Sequence, residues 1–304
     1  MAESFHAVTP REAKRHETMI GEGTQSTNQR RHNYVQENVE VAFFTDPTVC
    51  IGCKACEVAC KEWNEVPDDG FTWMGNSYDN TGSLGASTWR HVLFLEQDQR
   101  KGQQVVSSSG DGEDPFRWIF LSDVCKHCEE AGCLEACPTG SIVRTEVGSV
   151  FVQDDVCNGC GYCVVSCPFG VIDRRPDPLP NAGGAFKCTF CYDRQKSGLV
   201  PACAKVCPTE SIVFGRLDDL RARAAQRVQQ LQQSGYDDAQ IYDPHGTSVG
   251  GIHAFFLILG GPEAYGLPPR PEVPTIYLKS AWAAAFATAI GAIAITLASF
   301  AFFS

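Results

Sequence analysis

The sequence predicts an α+β protein made of two cysteine-rich modules, one inserted in the other, followed by a single transmembrane helix. Sixteen cysteines fall into compact groups of four, with none left over. Short apolar, strand-like stretches alternate with helical segments around these groups. Residues 281–303 near the C-terminus contain neither a charge nor a proline. The length of 304 residues suits one large domain or two small ones.

The spacing of the cysteines predicts the chemistry of the modules. The first and third groups read C-x2-C-x2-C-x3-C, and every group after the first ends in C-x3-C-P. The second and fourth groups lengthen only the middle spacing, before Cys133 and before Cys203. This is the ligand pattern of bacterial ferredoxins, in which each iron of a cubane cluster takes one cysteine sulfur. We therefore predict four [4Fe–4S] clusters in two ferredoxin-like dicluster modules.

Other uses of cysteine fit the spacing less well. A disulfide framework is disfavoured because the C-x2-C pairs are too close for independent bridges and the chain is larger than most disulfide-stapled scaffolds. Structural zinc favours CxxC pairs separated by a longer loop, which only the fourth group resembles. A three-iron cluster would show as a missing ligand, and none is missing.

The order of the groups predicts which cysteines share a cluster. Each group of four cysteines is one run in the chain. In two-cluster ferredoxins the first three cysteines of a run bind one cluster and the fourth binds the second cluster. Runs two and three are separated only by residues 138–156, where strand-like stretches at 141–144 and 149–152 flank a turn at Gly148. These two runs are predicted to form one module, and runs one and four the other. The ligand sets are then quartet A, Cys50, Cys53, Cys56 and Cys207; quartet B, Cys60, Cys188, Cys191 and Cys203; quartet C, Cys125, Cys128, Cys133 and Cys167; and quartet D, Cys137, Cys157, Cys160 and Cys163.

The remaining segments are placed around these modules. Strands at 91–95 and 116–121 are expected to pair, and apolar residues at helical spacing predict a helix over 218–234. Lys126 and His127, between two ligands, are expected at a solvent or partner surface, whereas Lys54 and Lys187 are candidates for raising cluster potentials. The predicted divisions are an extended arm at 1–44, an outer module at 45–120 and 174–216 with an insertion at 64–120, an inserted module at 121–173, a helix and extended connector at 217–275, and a membrane anchor at 276–304.

Charge and hydropathy predict the location of the chain. The formal net charge is −11 without a basic patch, which argues against a nucleic-acid partner. Residues 1–40 contain no apolar stretch that would predict a secretory signal. The uncharged segment 281–303 would span roughly 34 Å as a helix, enough to cross a lipid bilayer. Arg270 and Lys279 precede it, so the positive-inside rule places the cluster-bearing body in the cytoplasm, although that rule is weak for large folded domains.

Several stretches resemble one family, the iron–sulfur beta subunits of membrane-bound formate dehydrogenases. The resemblance covers roughly residues 45–303. The cluster motifs are shared by many four-cluster subunits, and the segments after the last cysteine point to formate dehydrogenase. The stretches that carry it are 50–64, 157–163, 187–191, 227–237, 242–244, 249–253, 266–268 and 271–272, with the single C-terminal span.

The resemblance implies a complex rather than a self-sufficient enzyme. A catalytic alpha subunit with a molybdenum or tungsten pterin oxidises formate. Electrons then pass through the four clusters of this chain to a membrane cytochrome b subunit that reduces quinone. The family also implies a periplasmic cluster body that is exported by the signal of the alpha subunit. No catalytic site is expected on this chain. Alternatives are the same electron wire in a membrane hydrogenase or a sulfur-compound reductase, or a zinc-stabilised scaffold.

Overall fold

The computed structural model describes residues 28, 30–70, 73, 75, 78–98 and 116–303. The first 27 residues of the predicted arm and residues 99–115 of the predicted insertion lie outside this set. Helices and strands are mixed along the described chain, as an α+β fold requires. The helices are α1 Tyr34–Glu37, α2 Ala55–Trp63, α3 Gly132–Glu135, α4 Tyr162–Val165, α5 Tyr192–Lys196, α6 Ala202–Val206, α7 Leu217–Gln233 and α8 Leu278–Phe303.

The strands of the described residues form one four-stranded sheet and three hairpins. The sheet has the order β8-β1-β10-β9, in which β1 and β10 are parallel and the other pairs antiparallel. The hairpins pair β2 with β3, β4 with β5, and β6 with β7. The strands are β1 Val41–Thr45, β2 Arg90–Asp98, β3 Phe116–Val124, β4 Ile142–Arg144, β5 Val150–Val152, β6 Asp173–Arg174, β7 Ala185–Phe186, β8 Ile212–Arg216, β9 Ala239–Tyr242 and β10 Ala254–Leu259.

The four-stranded sheet separates two packed regions. Successive side chains of a strand point to opposite faces, so β1 contributes to both. Phe43 packs with buried cysteines and lies 4.7 Å from the ring of Phe190. Phe44, on the other face, belongs to the apolar core that includes Leu220 of α7. The sheet is therefore the wall between the long helix α7 and the cysteine-bearing segments.

Two predicted segments are wrong in this region. Residues 41–44 were expected in an extended arm on a partner, but β1 is a fully buried inner strand of the sheet. The predicted connector at 217–275 contains β9 and β10 in addition to its helix. All six residues of β10 are buried. Strands buried on both faces read as continuous apolar runs without alternation, so periodicity does not identify them.

Local predictions near the cysteines are confirmed. Strands β2 and β3 pair antiparallel over nine residues each, and β4 and β5 form the short hairpin that turns at Gly148. Gly148 has a φ of +84°, and a Cβ there would lie 2.4 Å from Nε2 of His253, so the turn requires glycine. Helix α7 begins and ends one residue before the predicted 218–234.

The C-terminal helix stands apart from the cores. The most apolar window within Pro274–Phe302 has a mean hydropathy of 2.0, and this is the one stretch of the described chain long and apolar enough to cross a membrane. None of its most apolar window is buried against the rest of the protein. A soluble core helix would be largely covered, so the exposure favours the predicted anchor over a core helix.

Candidate metal centres

All four thiols of quartet A line one small cavity between the start of α2 and the end of α6. The hydroxyl oxygen of Ser122 on β3 reaches this cavity, 3.3 Å from Sγ of Cys56. The loop that carries the first two thiols turns through Gly52 at a φ of +65°. A Cβ at this glycine would lie 3.0 Å from Cδ1 of Phe120, so the loop wraps the cavity only without a side chain.

The thiols of quartet B lie within the protein core. All four cysteines are buried, and they come from α2, α6 and the turn that leads into α5. Burial, followed by the neighbouring thiolates of Cys188, Cys203 and Cys191, raises the pKa of Cys60 well above its usual value. The side-chain amide of Asn64 points Nδ2 at both Cys60 and Cys191, at 3.7 and 3.9 Å from their sulfurs.

The thiols of quartet C line a second small cavity, beside the end of β3 and helix α3. Cys125 is buried and the other three cysteines are half-buried. The walls include the ring of Phe169 and the ammonium-bearing side chain of Lys187. Burial is the largest cause of a pKa of about 12 for Cys133, and the thiolates of Cys125 and Cys167 raise it further against the lowering effect of Lys187.

Quartet D is the most open of the four sets. Cys160 is exposed, Cys137 and Cys157 are half-buried, and Cys163 is buried. Burial and then the thiolates of Cys157, Cys160 and Cys137 raise the pKa of Cys163 to about 11. The structure therefore brings together the same four cysteines that the sequence predicts, around the hairpin β4–β5 and helix α4.

Contacts between quartets define an order. At each junction, burial is the largest cause of the raised pKa of one thiol. A nearby thiolate of the neighbouring quartet raises the same pKa further. The pairs are Cys56 with Cys203, Cys188 with Cys125, and Cys133 with Cys163. The quartets therefore lie in the order A, B, C, D.

The electrostatics of the thiols differ along this row. Burial and like-charged neighbours disfavour a free thiolate, and they raise the pKa of Cys56 and of Cys191 to about 12. Cys137 in quartet D differs. Slight burial raises its pKa, but hydrogen bonds from Ser141 and Thr139 outweigh burial and bring the value to about 7. Positively charged iron is the natural stabiliser of so many buried thiolates.

The donor set tests which group the cavities fit. Each quartet offers four cysteine sulfurs, as a [4Fe–4S] cluster requires. Among the described residues, no three His, Cys, Asp or Glu side chains converge closely enough to hold a single metal ion. Structural zinc binds four ligands at one point, whereas two of these quartets surround a cavity. The arrangement fits a polynuclear cluster better than it fits zinc.

Some charged residues lie elsewhere than predicted. Lys126 and His127 are buried, each with an exposed fraction of 1%, so the expected surface position is wrong. Lys54 lies beside a ligand but is paired, with Nζ 2.6 Å from a carboxylate oxygen of Asp79. Arg90 was not predicted from the sequence as a site residue. It is buried beside quartets A and B. Its signal was a guanidinium in the same strand as the apolar stretch 92–95.

Comparison with known protein families supports this site. Residues 116–217 and residues 49–141 each match a family described as "4Fe-4S dicluster domain". The two ranges are continuous and share residues 116–141, so they do not outline the predicted nested modules. Together they cover all sixteen cysteines. The chain is an iron–sulfur protein of the dicluster class.

Similar proteins identify the family within this class to which the chain belongs. The formate dehydrogenase-O iron-sulfur subunit of Escherichia coli is 41% identical over 241 residues, 77% of this chain and 73% of that protein. The formate dehydrogenase iron-sulfur subunit of Haemophilus influenzae is 40% identical over 239 residues, 77% and 70% of the two proteins. One polypeptide of the anaerobic dimethyl sulfoxide reductase from Escherichia coli is 34% identical over 185 residues, 60% and 77% of the two proteins. This chain belongs to the family of formate dehydrogenase iron–sulfur subunits.

Proposed function

We propose that quartets A to D each hold one [4Fe–4S] cluster, in two nested dicluster modules. The support is the chemistry of the thiol sets and their arrangement in space. Quartets A and B draw their cysteines from residues 50–60 and 188–207, whereas quartets C and D use only residues 125–167. The segment that holds C and D thus interrupts the one that holds A and B, as an inserted module would.

The chain is the electron-transferring subunit of a membrane-bound formate dehydrogenase. The observation that carries this proposal is the row of four quartets in a member of the formate dehydrogenase subunit family. When bound, the clusters accept and release single electrons. The protein holds the sulfurs in place, keeps water from the inner quartets and sets the local charge. A molybdopterin catalytic subunit supplies the electrons from formate, and a cytochrome b subunit passes them to quinone.

The two ends of the row face different partners. At quartet A, Cys53 is exposed and the neighbouring Ile51 is 58% exposed, so this end presents an apolar surface to the catalytic subunit. At the other end, the root of α8 is fixed beside α3. Thr275 donates a hydrogen bond to the carboxylate of Glu135, and Val273 is buried there. Quartets C and D therefore lie nearest the bilayer and the cytochrome.

The cluster body faces the periplasm in this proposal. The support is the family resemblance, because the charges before the span favour the cytoplasm only weakly for a folded body of this size. Protease added to spheroplasts tests it directly. Digestion of the body in intact spheroplasts is expected, and protection until the membrane is broken would place the body in the cytoplasm.

Formate-driven reduction tests the function. In membranes prepared without oxygen, formate is expected to produce the EPR signals of reduced [4Fe–4S] clusters, and a quinone analogue is expected to remove them. The matched control is Cys53→Ser, which alters the exposed end of quartet A and should slow reduction by formate while dithionite still reduces the remaining clusters. If dithionite reduces the clusters of the wild-type protein but formate does not, the assignment to formate dehydrogenase is overturned.

A sulfur-compound reductase is the second candidate, because a polypeptide of anaerobic dimethyl sulfoxide reductase is a relative. In that case electrons would run from quinol through the four quartets to the sulfur compound. The same membranes distinguish the two roles. Reoxidation of the clusters by dimethyl sulfoxide, with no response to formate, would favour the reductase. A preparation that contains zinc and little iron would remove both roles and leave a structural scaffold.

Cluster pairing has its own test. Cys207→Ser is expected to disturb the cluster of quartet A, because its thiol shares that cavity with Cys50, Cys53 and Cys56. The matched control is Cys203→Ser, four residues earlier, which should disturb quartet B. EPR spectra of the two variants must differ. Loss of the same signal in both would contradict the crossed ligand sets.

A further inference from the structure

Two cations of the described chain are buried beside the quartets without an acidic partner. Arg90 and Lys187 are each 2% exposed. The interactions found for them involve thiols, a hydroxyl, carbonyl groups and one aromatic ring, and no carboxylate of the described residues. A buried charge is strongly unfavourable unless it is paired, so each needs a compensating anion.

Arg90 lies at the junction of quartets A and B. One guanidinium nitrogen donates to Oγ of Ser122 at 3.1 Å, and that oxygen is 3.3 Å from Sγ of Cys56. The guanidinium also lies over the ring of Phe43, at 4.8 Å from its centroid. Its two other nitrogens are buried and have no hydrogen-bond partner among the residues that the structure describes. These unsatisfied donors are free for acceptors that belong to a bound cluster.

Lys187 lies at the next junction, between quartets B and C. Its Nζ is 3.4 Å from Sγ of Cys125, a quartet C ligand. It also donates to the carbonyl oxygens of Val150 and Cys188, the latter at 3.3 Å, and Cys188 is a quartet B ligand. The ammonium group of Lys187 thus contacts groups that belong to both quartets.

We propose that Arg90 and Lys187 are fixed positive charges that raise the reduction potentials of the clusters on either side of their junctions. The inference rests on the proposed function, since it requires the clusters to be bound. Each one-electron reduction adds one negative charge to a cluster without forming or breaking a bond. A fixed cation nearby stabilises that reduced form, so the potential rises.

Other lysines near the clusters do not meet the same conditions. Lys126 is buried between two quartet C ligands, but its ammonium is paired with the carboxylate of Asp123. A paired lysine and aspartate add no net charge to the cavity. The hydrogen bonds found for Arg90 and Lys187 in the described part of the chain involve no cysteine of quartet D. The effect should therefore be specific for quartets A, B and C.

Redox titration of the intact, cluster-loaded complex tests the proposal, with EPR signals assigned from the cysteine variants. Lys187→Met should lower the potential of cluster C most and leave cluster D unchanged. At the potential where the wild-type cluster C is half reduced, its reduced-to-oxidised ratio should fall at least tenfold, a shift of about 59 mV for one electron. Arg90→Met should lower the reduced-to-oxidised ratio of clusters A and B by a similar factor at their own wild-type midpoint potentials.

Two controls separate charge from packing. Arg90→Lys keeps the positive charge and should keep the ratio of clusters A and B within twofold of wild type. The double variant Asp123→Asn with Lys126→Met removes a buried lysine together with its carboxylate, without a change in net charge. It should move cluster C far less than Lys187→Met does, although it disturbs the same cavity.

Several outcomes would overturn the inference. Unchanged potentials in both neutral variants would do so, as would equal shifts in Arg90→Met and Arg90→Lys. Loss of iron with unchanged potentials of the remaining clusters would show a structural role only. If the complex with Lys187→Met does not assemble, the potentials of clusters A and B in Arg90→Met and Arg90→Lys test the inference. A wild-type complex without iron clusters would instead refute the proposed function itself.

Discussion

Quartets B and D offer the same four sulfurs but are built in different ways. Quartet B joins cysteines as far apart as Cys60 and Cys203, and all of them are buried in the core beneath the four-stranded sheet. Quartet D uses only residues 137–163, around one short hairpin, and exposes Cys160. The inner site therefore depends on the whole fold, whereas the outer site depends on a local loop.

One thiol from each site shows the same contrast in its pKa, although burial raises the pKa of Cys163 in quartet D to about 11. Burial raises the pKa of Cys191 in quartet B to about 12, whereas Cys137 in quartet D has a pKa of about 7. Metal binding requires thiolates, so the inner quartet gains most from the positive charge of bound iron. Folding of the core and loading of quartet B should consequently be coupled, while quartet D should load or empty with little effect on the rest.

Ligand removal gives the largest expected difference between the two sites. Cys191→Ser should lower the yield of assembled protein severalfold and leave the remainder without cluster B, because it leaves buried thiolates without a complete cluster in the core. Cys160→Ser should cost the iron of about one cluster and leave the other three. Iron content and EPR of the anaerobically purified variants measure this. Equal loss of iron and protein in both variants would contradict the distinction.

Packing around the two sites should show a smaller difference. Phe43→Ala removes a ring that is 1% exposed, against Phe190 and Phe214, and should cost about 3–5 kcal/mol. Val165→Ala, near quartet D, alters a side chain that is 78% exposed and should change stability by less than about 0.5 kcal/mol. Thermal loss of cluster absorbance compares them. A similar decrease for both would mean that the sheet does not support the inner quartet.

Oxidant sensitivity should reveal the finest difference. Wild-type protein exposed to ferricyanide should lose the EPR signal of quartet D before that of quartet B, since solvent reaches Cys160 directly. The proposed catalytic subunit would cover quartet A in the assembled complex, so the EPR signal of quartet A should last longer there than in the isolated chain. Simultaneous loss of all signals would indicate global unfolding instead of access from the surface.

The same contrast explains what could be predicted from the sequence. The cysteine spacing, the β4–β5 hairpin and helix α7 depend on neighbours in the chain, and the structure confirms the hairpin and the helix. The four-stranded sheet depends on parallel pairing between Phe43 and Ala254, more than two hundred residues apart. Its inner strands are buried on both faces, so they carry no period that identifies them. Segments 41–44 and 239–259 were misassigned for this reason.

Arg90 was missed for a related reason. The surroundings of Arg90 become visible only when strand β2 is placed, because its neighbours come from residues 56, 122 and 203. Lys126 was misplaced because its partner Phe256, 5.1 Å away, lies on a strand that was not predicted. The spacing of the cysteines is visible in the local sequence, but the residues that surround each cysteine come from distant segments.

An EPR-monitored redox titration of the intact complex, with iron analysis of the same sample, tests the central claim most directly. Four [4Fe–4S] clusters predict about sixteen irons for each chain and four one-electron signals. Magnetic coupling should join A with B, B with C, and C with D. Fewer than four signals, or clusters without coupling to a neighbour, would contradict a continuous path for electrons through this protein.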